Sequence, residues 1–177
     1  MSTRNSLVKI TIISVLAFCS LAFADEELTE AQLVQQDVQK MIDAVYANDI
    51  DTLIGYTHPE IIELMGGEEE ARTALTEALS QLAELNMTVE SMTYPSEPVF
   101  LEGGDSRFVI VPTLSIIAAN GRRVESLNYQ FGILDAGAST WKYVEGSRIN
   151  SDNVQMLFPD FPDDYEFPET YRHLIEE

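Results

Sequence analysis

Two histidines, one tryptophan and 30 carboxylates against 10 lysines and arginines are the chemical resources of this 177-residue chain. His58 stands in "YTHPEIIELMGG", before a proline that biases it away from helical geometry and places it on a corner between helices. A neutral imidazole at such a corner can act as a base or hydrogen-bond a ligand. The competing role is structural, a ring that bonds nearby backbone to hold the turn. A catalytic histidine needs an orienting carboxylate; Glu60 and Glu63 are near in sequence, yet spacing alone does not make them converge. Met65-Gly66-Gly67 lets backbone approach a partner closely, or simply launches the next helix.

A second group lies further on. In "LNYQFGI" the side chains of Leu127, Tyr129, Phe131 and Ile133 share one face of a strand, and in "TWKYVEG" Trp141, Tyr143 and Glu145 share another. If those faces meet, Tyr129, Trp141 and Glu145 line a pocket for a small, mostly apolar ligand, with Glu145 its acidic member. Plain core packing is the alternative. The tail acids Asp160, Asp163, Asp164, Glu166 and Glu169 lack the alternating ligands and central glycine of a calcium loop. Two distant histidines argue against zinc, and no cofactor motif is present. Asn86-Met87-Thr88 matches a glycosylation sequon, a pattern short enough to arise by chance.

The elements that would position these residues follow from periodicity. Residues 1–24, with Arg4 and Lys9 before an apolar run that ends in Ala22-Phe23-Ala24, have the form of a cleaved signal peptide, which implies a periplasmic or secreted protein. Cys19 lies inside it, and bulky Phe18 disfavours lipidation, so residues 25–177 would form one domain stabilised by packing without disulfides. Loss of Arg4 and Lys9 takes the formal charge from −20 to −22, which disfavours nucleic acid and anionic lipid as partners.

Apolar residues at three- and four-residue spacing from Leu28 to Ala47 predict an amphipathic helix, opened by a Thr29/Gln32 capping box. "DIDTLIGY" predicts a short second helix and "GGEEEARTALTEALSQLAEL" a third, closed by Asn86. Beyond it the period becomes two, with strands expected near 87–95, 97–103, 106–119, 122–135 and 139–149, and an Asn120-Gly121 hairpin. Pro112 predicts an edge or bulge in its strand. The acidic, proline-broken "LFPDFPDDYEFPETYRHLIEE" predicts an extended strap with a frayed end. Helices followed by an antiparallel meander define an α+β class, helices packed on a curved antiparallel sheet.

This order, with "A-x-D-aliphatic-D-x-L" ending the first helix, a His-Pro turn, a further helix and hairpinned strands ending in "W-K-Y-V-E-G", resembles the nuclear transport factor 2-like superfamily, also called the cystatin-like cone fold. The resemblance spans nearly all of residues 25–177. It implies a curved sheet around a long helix, a conical cavity, and a His58 corner near its mouth. Ketosteroid isomerases of this superfamily carry an oxyanion-donating tyrosine two helical turns ahead of the Asp-x-Asp pair; here Met41 stands at that place, which weakens an isomerase reading and suggests an apolar cavity floor. Two readings result. One is an exported binding domain for a small apolar or amphipathic ligand, or for a protein, with Met41, Tyr56, Met65, Tyr129, Trp141 and Glu145 at the pocket. The other is an isomerase- or dehydratase-type enzyme with His58 as base and Tyr129 or Tyr56 as donor. Homodimerisation through an outer sheet face is common in the resembled superfamily, and Val109, Val111 and Ile117 are candidates for it.

Overall fold

The computed structural model describes residues 27–175; the expected signal peptide, its cleavage point and Cys19 lie outside the described residues. Four helices come first: α1 (Glu30–Ala47), α2 (Ile50–Tyr56), α3 (Pro59–Leu64) and α4 (Glu68–Glu84). The strands β1 (Thr88–Thr93), β2 (Val99–Gly103), β3 (Ser106–Ala119), β4 (Arg122–Leu134) and β5 (Lys142–Glu145) follow, then the short α5 (Val154–Leu157) and β6 (Tyr171–Ile175). This is the α+β class, with helices packed on an antiparallel sheet that does not close on itself.

Local signals set most boundaries. The Gln32 N–H donates to the Thr29 hydroxyl at 3.2 Å and the Thr29 N–H to the Gln32 side-chain Oε1 at 2.8 Å, so both donors at the start of α1 are satisfied. Asn48 (φ 54°) and Asn86 (φ 48°) take the left-handed conformation that ends α1 and follows α4. At the tip between β3 and β4, Asn120 (φ 50°) and Gly121 (φ 73°) are both left-handed, the geometry whose twist matches paired strands. The helix α3 escaped the periodicity reading because six residues are too few to show it.

β3 and β4 pair along their whole length and form the spine of the sheet. On one side β2 takes the first half of β3 and β1 the second, while on the other β5 and β6 divide β4 in the same way. Residues 111–113 fall between the last β2 pair, at Ile110, and the first β1 pair, at Leu114. Pro112 therefore sits in a long interior strand where that strand has a neighbour on one side only, and its missing donor costs no ladder bond on the vacant side. The bulge is elsewhere, in β1 between Val89 and Ser91.

Each sheet face has its own cover. Against one, α1 packs Val34 and Val38 onto Val109, Val111, Trp141 and Tyr143. On this face Gly132 admits no larger residue, since a Cβ there would lie 2.5 Å from the Val109 methyl and 3.0 Å from the Tyr143 ring. The expectation that Val109 and Val111 form an outer dimer surface is overturned, because both are fully buried under α1. Against the other face, the C-terminal strap lays Phe158, Phe161 and Phe167 on Phe108, Tyr129 and Phe131. The strap is extended between α5 and β6, and residues 171–175, expected to belong to a frayed end, pair with β4 from Leu127 to Arg123.

Candidate functional site

The helix-side layer is not filled. Between α1, α2, α3, α4 and the β4–β5 end of the sheet lies a cavity of about 310 Å³. Its helical walls are apolar, with Met41, Ile42 and Val45 from α1, Leu53 from α2, Ile61 from α3 followed by Met65, and Leu75 and Leu79 from α4. Its polar groups come from the corner after α2, the sheet and the turn after it, namely Thr57, Gln130, Tyr143, Glu145 and Arg148. The hollow exists because α4 is held away from the sheet by α1 and α2, where Ala44, Leu53 and Leu79 pack against one another. Two methionines on the wall provide flexible, polarisable contacts that adapt to varied shapes.

The polar end has a defined pattern. Gln130 and Glu145 are direct cross-strand partners and share a face. The Glu145 carboxylate accepts from the Ser147 hydroxyl at 2.8 Å, and the Arg148 Nε lies 3.4 Å away. Thr57 is committed, since its hydroxyl donates to the Leu53 carbonyl at 2.8 Å. The Tyr143 hydroxyl donates to Asp37 at 3.4 Å, and Tyr56 donates to the same carboxylate at 3.0 Å. Burial first, and the Asp37 charge second, push the Tyr143 phenol well above the ordinary range, so it remains a neutral donor. Tyr56 is raised by burial first and by its hydrogen bond to Asp37 second.

Met41, Met65 and Glu145 thus meet at one cavity. Tyr56 does not line it; its ring stands 6.1 Å from that of Tyr143 and its hydroxyl serves Asp37. Trp141 packs against Phe100 at 6.0 Å and under the Arg107 guanidinium at 5.7 Å, also off the cavity wall. Tyr129 is on the opposite face: it stacks on Phe167, and its hydroxyl donates to the Ile149 carbonyl at 2.5 Å. The faces bearing Tyr129 and Trp141 therefore do not meet, because the register pairs Glu145 with Gln130 and leaves Tyr129 across the sheet. Leu75 and Leu79 recur at helical spacing, which marks them for the sequence only as apolar residues of a helix, and the only signal for Gln130 is its alternation with the aromatic residues beside it.

His58 is 4% exposed and caps α3. The Glu60 N–H donates to Nδ1 at 3.2 Å, which leaves the ring proton on Nε2, 3.3 Å from the Asp135 carboxylate. Its backbone N–H donates to the Tyr143 carbonyl at 3.2 Å, tying the corner to β5, and its ring meets Phe158 edge-on at 5.1 Å. Both ring nitrogens are engaged within the protein, and the orienting acid is Asp135 rather than Glu60 or Glu63. With Tyr56 and Tyr129 also committed, His58 and the two tyrosines expected to act with it do not face a common space. Among the described residues, no three His, Cys, Asp or Glu side chains converge as a metal site, and no helix is long and apolar enough to cross a membrane.

Comparison with protein-family models, with curated proteins and with solved structures finds no match for this chain. The functional reading rests on the residues and their geometry.

Proposed function

We propose that this is an exported binding protein of the nuclear transport factor 2-like cone type, which holds a small apolar or amphipathic ligand in the cavity beneath α4. The observation that carries the reading is the cavity's asymmetry: apolar side chains drawn from four helices on its walls, with Gln130, Glu145 and Arg148 at one end. Such a space favours an apolar body with one polar terminus, in which the walls supply affinity and the polar groups fix orientation. Export is proposed on the character of residues 1–24. Catalysis by His58 is the weaker reading, since it would require the ring to leave both of its partners.

The test uses N-phenyl-1-naphthylamine, a neutral apolar fluorophore that brightens when shielded from water. The protein is expected to bind it, and Leu79→Trp, which fills the hollow from α4, is expected to weaken binding at least 10-fold while the thermal transition is retained. Equal binding by the folded Leu79→Trp variant would sink the proposal.

A further inference from the structure

The helix-side face of the sheet continues past the cavity toward the β3–β4 tip, and there its character changes. Strand register places Val89, Ile117, Val124 and Leu174 in one row across β1, β3, β4 and β6, each the direct partner of the next. Direct partners present their side chains on the same face. The first three are half-buried, and Leu174 is 55% exposed. At the Val89 end the row runs into a groove of about 400 Å³ lined by Tyr46, Leu82 and Met87, between the C-terminal ends of α1 and α4.

The adjoining row is Met92, Ser115, Ser126 and Arg172, and Arg122 lies on the same face beyond the first row. Neither arginine forms an ion pair among the described residues. No described residue that the register puts on this part of the face is a carboxylate, in a chain where acids outnumber bases 30 to 10. Arg172 also borders a notch of about 390 Å³ where β4 passes from β6 to β5, together with Ser126, Asn128, Ser147 and Thr170. The Ser147 hydroxyl is held by Glu145, which leaves the guanidinium as the charged donor on the notch wall.

We propose that this face docks an acidic peptide segment of a partner protein, with aliphatic side chains on the Val89–Leu174 row and a carboxylate at Arg172. Charge complementarity selects the occupant. A basic segment would find no carboxylate among the described residues that the register puts on this part of the face, whereas a carboxylate would meet Arg172 beside an apolar row. The forked guanidinium suits a carboxylate in two-point contact. At physiological ionic strength charges are screened beyond roughly 8 Å, so local pairing outweighs the distant net charge.

Random dodecapeptides displayed on phage are selected against the whole protein, and the affinity of one recovered peptide is measured by fluorescence polarisation. Recovered sequences are expected to combine aspartate or glutamate with leucine, isoleucine or valine. Arg172→Glu and Leu174→Ser are expected to weaken binding at least 10-fold and several-fold, while Met156→Ser, at an apolar residue 80% exposed on α5, leaves it unchanged. Unaltered thermal transitions certify that these exposed substitutions leave the fold intact. Four results would overturn the proposal: peptides with no acidic bias; equal affinity for Arg172→Glu; a dimer in sedimentation that Leu174→Ser dissociates, which makes a second copy the occupant; or cosedimentation with phosphatidylglycerol vesicles abolished by Arg172→Glu, which makes it a lipid surface.

Discussion

The two faces of one sheet are covered in opposite ways. Under the strap, aromatic rings fill the space: Phe131 lies within 5.3–6.3 Å, centroid to centroid, of Phe108, Phe158, Phe161 and Phe167. Under the helices the layer is closed only along α1, and α4 stands off over a hollow. A flexible strap conforms ring by ring to the surface below it. A helix is a rigid rod, and when other helices hold it, it leaves a gap where its side chains do not reach. The strap face is thus closed by aromatic packing, while the helix face keeps a hollow.

The largest test of that contrast is Phe131→Ala. Truncating a fully buried ring with four aromatic neighbours is expected to cost about 3–5 kcal/mol, read as a fall in the urea midpoint. A cost under about 2 kcal/mol would show that the strap is not the stabilising layer.

Alkaline titration probes both faces at once. Burial raises Tyr129 to about 12 and, together with Asp37, raises Tyr143 further, while an unfolded tyrosine titrates near ~10. The folded state holds these protons more tightly than the unfolded state. Their contribution is therefore complete below pH ~10 and is lost as pH climbs toward the folded values, by about 1.4 kcal/mol per pH unit for each tyrosine. Urea midpoints at pH 8, 10 and 11 are expected to be level and then to fall. Tyr94, raised by burial to about 12 as well, contributes to the same fall, so Tyr129→Phe and Tyr143→Phe should each remove a part of the slope, and an unchanged slope in either variant would separate that residue from it.

Leu75→Ala, on the cavity wall, is expected to cost less than about 2 kcal/mol, below the usual range for a packed leucine, because its side chain already borders empty space. The same variant should alter N-phenyl-1-naphthylamine affinity, whereas Phe131→Ala at a temperature where it remains folded should not. The smallest effect belongs to His58→Asn: asparagine is itself a good N-cap, so the loss should stay near ~1 kcal/mol, while His58→Ala should cost more. Equal stability of the two variants would show that the cap contributes nothing.

Much of the scaffold was legible because its signals are local. The Thr29 capping box, the left-handed Asn86 and the Asn120-Gly121 turn are each decided by the conformational preferences of one or two residues. The long strands β3 and β4 follow from alternation. The pairing of residues 171–175 with β4 is not legible locally because the partners lie 44 to 52 positions apart in sequence, and six residues are too few to show α3 by periodicity.

The candidate site was legible only in pieces. Met41, Met65 and Glu145 were singled out and do share the cavity, while Tyr129, equally marked by its strand pattern, lies across the sheet. Alternation tells which residues of a strand share a face. It does not tell which face of one strand adjoins which face of the next, because that depends on register.

By itself the sequence determined the α+β order, the helix caps, the principal hairpin and the acidic character of the chain, all of which depend on neighbouring residues or on composition. Tertiary structure alone decided that Val109 and Val111 lie under α1, that His58 meets Asp135, that a cavity opens beneath α4, and that Val89, Ile117, Val124 and Leu174 form one row. Those features join residues far apart in the chain, and only the pairing of strands and the docking of rigid helices sets the distances between them.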